Sequence, residues 1–302
     1  MFAARKIKKV KTFMREIRVS APAKLNLYLD VLDKRSDGYH DIKTLFEKID
    51  LQDEIVIREK TKKGLSVKVE PMGACPSGEQ NIVYKALSAL LKASRSDVGL
   101  EVMIKKRIPV AAGLGGGSSD AASAIRAVND SFDLGLSKKE LFSIAIEAGK
   151  DVPFFMLDES FAIASKTGEC LEPLEIGEKL FHIIIKPRIS VSTAEMYKRI
   201  DDGDLKMQNG GIDKIVLALK KNEIDGIRKH CYNIFELVLA DYSPYIEKAK
   251  TLLEDAGAGQ CLLSGSGPSV FCVLNDGKEA QEILKRIPKK QNMDIFFATT
   301  YA

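Results

Sequence analysis

PVAAGLGGGSSDAA, residues 109–122, is the stretch around which the rest of the chain can be arranged. Gly113, Gly115, Gly116 and Gly117 put four glycines within five positions, with Ser118, Ser119 and Asp120 directly after them. Ala121, Ile125 and Val128 then fall at i, i+4 and i+7, one face of a helix. Ser118 or Ser119 is the expected N-cap, and Asp120 suits the positive end of the helix dipole. A glycine loop feeding a capped helix is an anion-binding arrangement. Without Cβ atoms the backbone comes close to the ligand, and the free N–H groups of the first turn point at it. The chain has no G-x-x-x-x-G-K-[ST], and Ser118 breaks G-x-G-x-x-G, so neither common nucleotide signature explains the loop. A flexible connection is the other reading of such a turn.

Upstream, residues 98–105 read as a strand leading into the loop, and Asn81 opens a helix running to Leu91. Downstream, Ser137 and Glu140 form a capping box for a helix whose apolar face is Leu141, Ile144, Ala145 and Ala148; Gly149 closes it. Nearer the start, residues 16–19 form a strand that Ala21-Pro22-Ala23 ends, and residues 25–29 alternate as a second strand. Lys24 and Asn26 share one face of it. Ser36-Asp37-Gly38 is a turn that presents Tyr39 and His40, with strands expected at 44–50, 54–59 and 65–69. In the second half, a strand at 181–185 precedes helices near 193–200, 213–220, 224–240 and 244–256. Strands at 260–264 and 269–274 flank a second glycine/serine loop, and a helix at 278–286 and a strand at 294–299 finish the chain. That order reads as a ferredoxin-like split βαβ unit. The division is expected near 168–177, giving domains 14–170 and 171–302.

With 302 residues, 45% hydrophobic, the chain is long enough for two domains with substantial cores. A net charge of +4 does not call for a nucleic-acid partner, and no apolar run approaches the roughly 20 residues that span a bilayer. The five cysteines are scattered without C-x-x-C spacing, as expected of reduced, mostly buried thiols in a cytoplasmic protein. The three histidines form no i, i+4 pair, so no protein metal site of the zinc kind is expected. Any metal should be oxygen-bound and arrive with phosphates, as magnesium does. The basic cluster Arg5, Lys6, Lys8, Lys9 and Lys11 has no apolar run after it and reads as a tail, not a secretory signal.

If the loop holds a phosphate donor, the reaction needs a carboxylate base and a cation beside the acceptor hydroxyl. Asp151 and Lys24 are the candidates, though by themselves they read equally as a helix N-cap before Pro153 and a surface lysine. Tyr39 and His40 are placed to stack on and read a base.

Four segments carry a family resemblance: residues 20–55 (SAPAKLNLYLDVLDKRSDGYHDIKTLFEKIDLQDEI), 109–122, 149–155 (GKDVPFF) and 262–271 (LLSGSGPSVF). Together they resemble the GHMP small-molecule kinases, and most closely the branch acting on 4-diphosphocytidyl-2-C-methyl-D-erythritol. The resemblance runs from about Ile17 to the C-terminus. It implies an α+β, two-domain GHMP kinase fold, with an N-terminal α/β domain of the ribosomal-protein type and a C-terminal ferredoxin-like domain. It also implies an ATP- and Mg2+-dependent phosphorylation of the substrate's 2-hydroxyl, on the methylerythritol phosphate route to isoprenoids. By the same resemblance Asp151 is the base and Lys24 its helper. Pro109 and the run Gly113, Leu114, Gly115, Gly116, Gly117, Ser118 and Ser119 take ATP, with Asn81 near the adenine. Asn26 meets the methylerythritol part. His40 hydrogen-bonds cytosine, between the rings of Tyr39 and Tyr197. The expected partners are these two small molecules, with no nucleic acid or membrane, for a monomer or homodimer. Lys150, where the family has a small residue, Lys166 in the run 165–169, and the stretch Asn233-Ile234-Phe235-Glu236 depart from the pattern.

Overall fold

The computed structural model describes residues 15–203, 211–288 and 292–302. The basic cluster lies outside them. The first element is a 19-residue strand, β1 (Glu16–Lys34), paired antiparallel with β2 (His40–Lys60). The break expected at Pro22 is instead a register shift between Pro22 and Ala23, with a second between Asn26 and Tyr28. Bulges absorb the proline and bend the strand without ending it. The two strands expected between 44 and 59 are likewise one.

β3 (Leu65–Glu70), α1 (Ile82–Ala93) and β4 (Gly99–Lys105) follow, then α2 (Gly116–Ser131), α3 (Lys138–Ala148) and the short α4 (Val152–Met156). Two strands unread in the sequence, β5 (Phe161–Lys166) and β6 (Cys170–Leu174), complete the region. Among the described residues the first sheet has seven strands. Its main path is β3-β4-β2-β1 and a two-residue strand of the second half, β5 pairing with β2 and β6 with β5. The helices close over a core that includes Ile55, Ile57, Val102, Leu87, Ile125 and Val128. α1 starts because the Asn81 side chain accepts from Val83 N at 2.8 Å, and α3 because Ser137 and Glu140 complete the capping box.

The second half runs β7 (Phe181–Pro187), α5 (Thr193–Asp202), α6 (Gly211–Lys220), α7 (Ile224–His230) and β8 (Tyr232–Asn233). It ends with α8 (Ser243–Asp255), β9 (Cys261–Leu263), β10 (Val270–Leu274), α9 (Gly277–Arg286) and β11 (Met293–Thr299). The second sheet has the order β11-β7-β10-β9, all neighbours antiparallel, which is the split βαβ arrangement. The helix expected over 224–240 stops at His230. β8 then adds to the first sheet beside Tyr28 and Leu29, and 3-10 turns cover Ile234–Val238 and Ala240–Tyr242. The apolar residues that suggested one helix serve a strand and a tight turn. The division expected at 170/171 cuts through the start of β6; the first sheet continues to Leu174 and the second starts at Phe181.

Among the described residues no helix is long and apolar enough to cross a membrane. All five cysteines are free; Cys231, Cys261 and Cys272 are buried, and Cys170 is exposed.

Candidate active site

The glycine loop hangs between β4 and α2 and is pinned from both sides. Lys24 N donates to Leu114 O at 2.9 Å, tying it to β1. Ser264 Oγ donates to Gly113 O at 3.0 Å, tying it to the loop after β9. These approaches require glycine. A Cβ on Gly113, at φ +75°, would stand 2.0 Å from Ser264 O; one on Gly115, at φ +70°, would stand 2.9 Å from Lys24 Cγ.

The N-cap of α2 is Gly115, not Ser118 or Ser119. The tight left-handed residue starts the helix three residues sooner, so both serines lie in its first turn. Ser119 is buried, and its hydroxyl has no hydrogen-bond partner among the described residues. Asp120 joins a buried ionic cluster instead of facing an anion. Lys106 Nζ lies 2.8 Å from Asp120 and also meets Asp53. Asp53 in turn accepts from Ile108 N at 2.9 Å. Burial pushes the Asp120 carboxyl up, against the pull of Lys106. The cluster thus anchors the loop's entry and the helix's first turn to β2.

Two cavities meet at the loop and share Ala111, Gly113 and Gly115 as walls. One, of about 280 Å³, is lined by Pro109, Leu114, Gly116, Gly117 and Ser118, with Ile82 and Lys106 across from them. Asn81 does not line it. It is spent as the α1 cap and as a donor to Pro76 O at 2.7 Å, which sets Ile82 in the wall.

The other cavity, of about 270 Å³, lies between the halves, with Lys24, Asn26, Asp151, Tyr197 and Gly265 in its wall. Lys24 and Asn26 share a face of β1, as their spacing predicts, and Lys24 Nζ donates to Asn26 Oδ1. Asn26 Nδ2 donates onward to Thr44 Oγ1 at 2.8 Å, and Thr44 donates to Tyr28 O at 2.6 Å. This buried relay fixes the amide. Lys24 is 4% exposed. Burial depresses the pKa of its ammonium, and the charge of Asp151 opposes that shift. Asp151 occupies the N-cap position of α4, yet its side chain makes no capping hydrogen bond. Its charge reaches Tyr197 as well, whose hydroxyl is pushed up to about 12, by burial first and Asp151 second.

α5 supplies Tyr197. Its ring stacks on His40 at 4.9 Å and meets Phe235 edge-on at 5.1 Å. Tyr39 stands 56% exposed on the turn before β2, with Lys150 Nζ 5.3 Å above its ring. The lysine that departs from the expected pattern therefore sits on the aromatic expected to stack on a base. Asn233 braces the second loop by donating to Leu263 O at 2.7 Å and Gly265 O at 2.8 Å, and Glu236 accepts from Leu263 N at 2.7 Å. Lys106, Asp53, Thr44, Asn233 and Glu236 were not singled out as site residues by the sequence. Lys106 could have been noticed for its place just ahead of the loop; the others come from strands and turns far away in the chain.

Residues 81–159 match the family described as GHMP kinases N terminal domain, and residues 215–292 match GHMP kinases C terminal. A 4-diphosphocytidyl-2-C-methyl-D-erythritol kinase from Alkaliphilus metalliredigens is 35% identical over 288 residues, 95% of this chain and 96% of that protein. One from Geobacter metallireducens is 39% identical over 268 residues, 89% and 92% of the two chains. A crystal structure of 4-(cytidine 5'-diphospho)-2C-methyl-D-erythritol kinase superposes with a TM-score of 0.79 at 29% identity, covering 95% of this chain and all of that one. A homoserine kinase from Cytophaga hutchinsonii, 21% identical with a TM-score of 0.72 over 98% and 97% of the chains, shares the fold.

Proposed function

This chain belongs to the GHMP kinases, and among them to the 4-diphosphocytidyl-2-C-methyl-D-erythritol kinases; we propose that it moves the γ-phosphate of ATP to the 2-hydroxyl of that substrate. The observation that carries the assignment of roles is the pair of cavities on either side of one glycine loop. Lys24 and Asp151 lie in the wall of the second.

ATP lies along the first cavity. Pro109, the run from Gly113 to Ser118 and the free first-turn N–H groups of α2 hold its phosphates, with Ser119 buried behind them, and Asn81 shapes the adenine end by setting Ile82. The acceptor lies in the other cavity, its methylerythritol part against Asn26 and its cytosine toward Tyr197, the ring on which His40 stacks, with Tyr39 on the turn beside them. Asp151 takes the proton of the acceptor hydroxyl. That oxygen bonds to the γ-phosphorus as the bond to the bridging oxygen breaks, and ADP leaves. Lys24 holds positive charge beside both groups, where burial strengthens its pull on a developing anion.

Among the described residues no three His, Cys, Asp or Glu side chains converge to hold a metal. Magnesium would come as an ion carried by the phosphates, with Ser118 as the residue offering a protein oxygen at their cavity. It would neutralise charge on the transferring group.

The test is incubation with ATP, magnesium and a panel of alcohols, including homoserine, mevalonate and 4-diphosphocytidyl-2-C-methyl-D-erythritol. The expected result is a product of the last compound heavier by one phosphoryl group. Phosphorylation of homoserine or mevalonate instead would overturn the substrate assignment.

A further inference from the structure

We infer that Asp201 is a positioning residue that fixes the tautomer of His40 and thereby selects a base bearing an amino group; this rests on the substrate reading above. Three observations carry it. His40 Nε2 and Asp201 Oδ1 are 2.6 Å apart, with the His40 side chain 7% exposed. Lys34 Nζ lies 2.5 Å from the other oxygen, Oδ2. Lys34 and His40 are register partners across the foot of the turn that carries Tyr39.

Asp201 and Tyr197 are four residues apart on α5, so one helix face delivers both to His40. That helix is firmly seated. Met196 is fully buried, Ser192 caps the first turn, and Arg199 Nη1 donates to Leu239 O at 3.0 Å. Asp201 lies in its last turn, where the helix dipole disfavours a carboxylate. The contacts with His40 and Lys34 offset that cost, and they hold its pKa below the usual range, Lys34 contributing most.

A carboxylate accepts only, so the neutral imidazole that meets it carries its proton on Nε2. Nδ1 is then an acceptor, and it has no hydrogen-bond partner among the described residues. An acceptor at that place suits the exocyclic amino group of cytosine and opposes the carbonyl of uracil at the same position.

The tautomer is read directly by 15N NMR of the imidazole in the wild type and in Asp201→Ala, without substrate. Nε2 protonation is expected in the wild type, with a mixture in the variant; an Nδ1-protonated wild type overturns the inference. Kinetics supply the second arm. Asp201→Ala should raise the KM for the cytidine substrate by about tenfold, more than it changes kcat or the ATP KM, and narrow the preference over the uridine analogue. Asp201→Asn, which keeps an acceptor oxygen, should recover most of the loss. An unchanged cytidine-to-uridine ratio, or equal effects on both substrates' KM values, sinks the specificity role. A wild type that phosphorylates neither nucleotide substrate refutes the functional reading, and the NMR result still decides the Asp201–His40 pairing.

Discussion

The proposed reacting pair, Lys24 and Asp151, is held at a cost to folding. A lysine 4% exposed, whose buried ammonium is depressed in pKa, gives up hydration that a surface residue would keep. Asp151 occupies a cap position without making the cap, so its carboxylate stays available to the cavity. Asp151→Asn keeps the shape and removes the proposed base. The expected outcome is a kcat lower by about 10²–10⁴-fold, with substrate affinity held within a few-fold by calorimetry. A variant with near-normal turnover would return Asp151 to the role of a helix end. Individual residues also show where sequence reading stops. The parity of Lys24 and Asn26 is visible in the alternation of residues 25–29. The support of Asn26 by Thr44 depends on a register between strands that alternation does not specify.

At the scale of elements, the loop between β4 and α2 is defined by what presses on it. Gly113 meets the carbonyl of Ser264 from the other half of the chain, at a distance no side chain tolerates. Gly113→Ala should therefore part the two loops or shift the backbone, with a stability loss of roughly 2 kcal/mol or more. Thermal unfolding and the ATP KM check this together; an unperturbed melting temperature would show the contact to be soft. The same loop shows how local propensity yields to geometry. Ser118 and Ser119 are the better N-caps, yet the left-handed Gly115 starts α2 earlier and turns both serines into first-turn residues. The long ribbon of β1 and β2 teaches a related lesson. Pro22 ends a strand by propensity, but a bulge accommodates it because the partner strand runs on beyond it.

At the scale of the whole molecule, the two halves are joined by buried polar groups as well as apolar packing. Glu47 of β2 faces His182 of β7 at 3.0 Å, both side chains fully buried, and Thr300 donates to Glu47 Oε1 at 2.6 Å. Burial works against a charged His182, but the charge and hydrogen bond of Glu47 outweigh it, so its pKa is raised. A raised folded value means that the stabilisation is fully present below the unfolded histidine's pKa of about 6.5 and is lost as pH rises through the folded value. Melting temperature should fall as pH is raised from about 6 to 9, and His182→Gln should flatten that slope. Identical slopes would show that the pair does not carry the dependence. Because the cavity holding Lys24 and Asp151 is walled by both halves, loosening this joint should reach the substrate side as well.

What the sequence determined by itself is local: the glycine loop feeding a helix, the capping box at Ser137, the alternating strand with Lys24 and Asn26, and the four strands of the second sheet. Each rests on spacing within a few residues, where backbone period and cap chemistry act directly. Family resemblance supplied the reaction class and named the reacting pair. Only the tertiary structure decided which residues brace Asn26, the second loop and His40 around that pair. Thr44, Asn233 and Asp201 reach their partners across 18, 30 and 161 positions, over distances that no sequence period spans. It also carried β6 into the first sheet and cut a long helix short to make β8, because unpaired sheet edges and buried carbonyls must be satisfied wherever the chain can reach them.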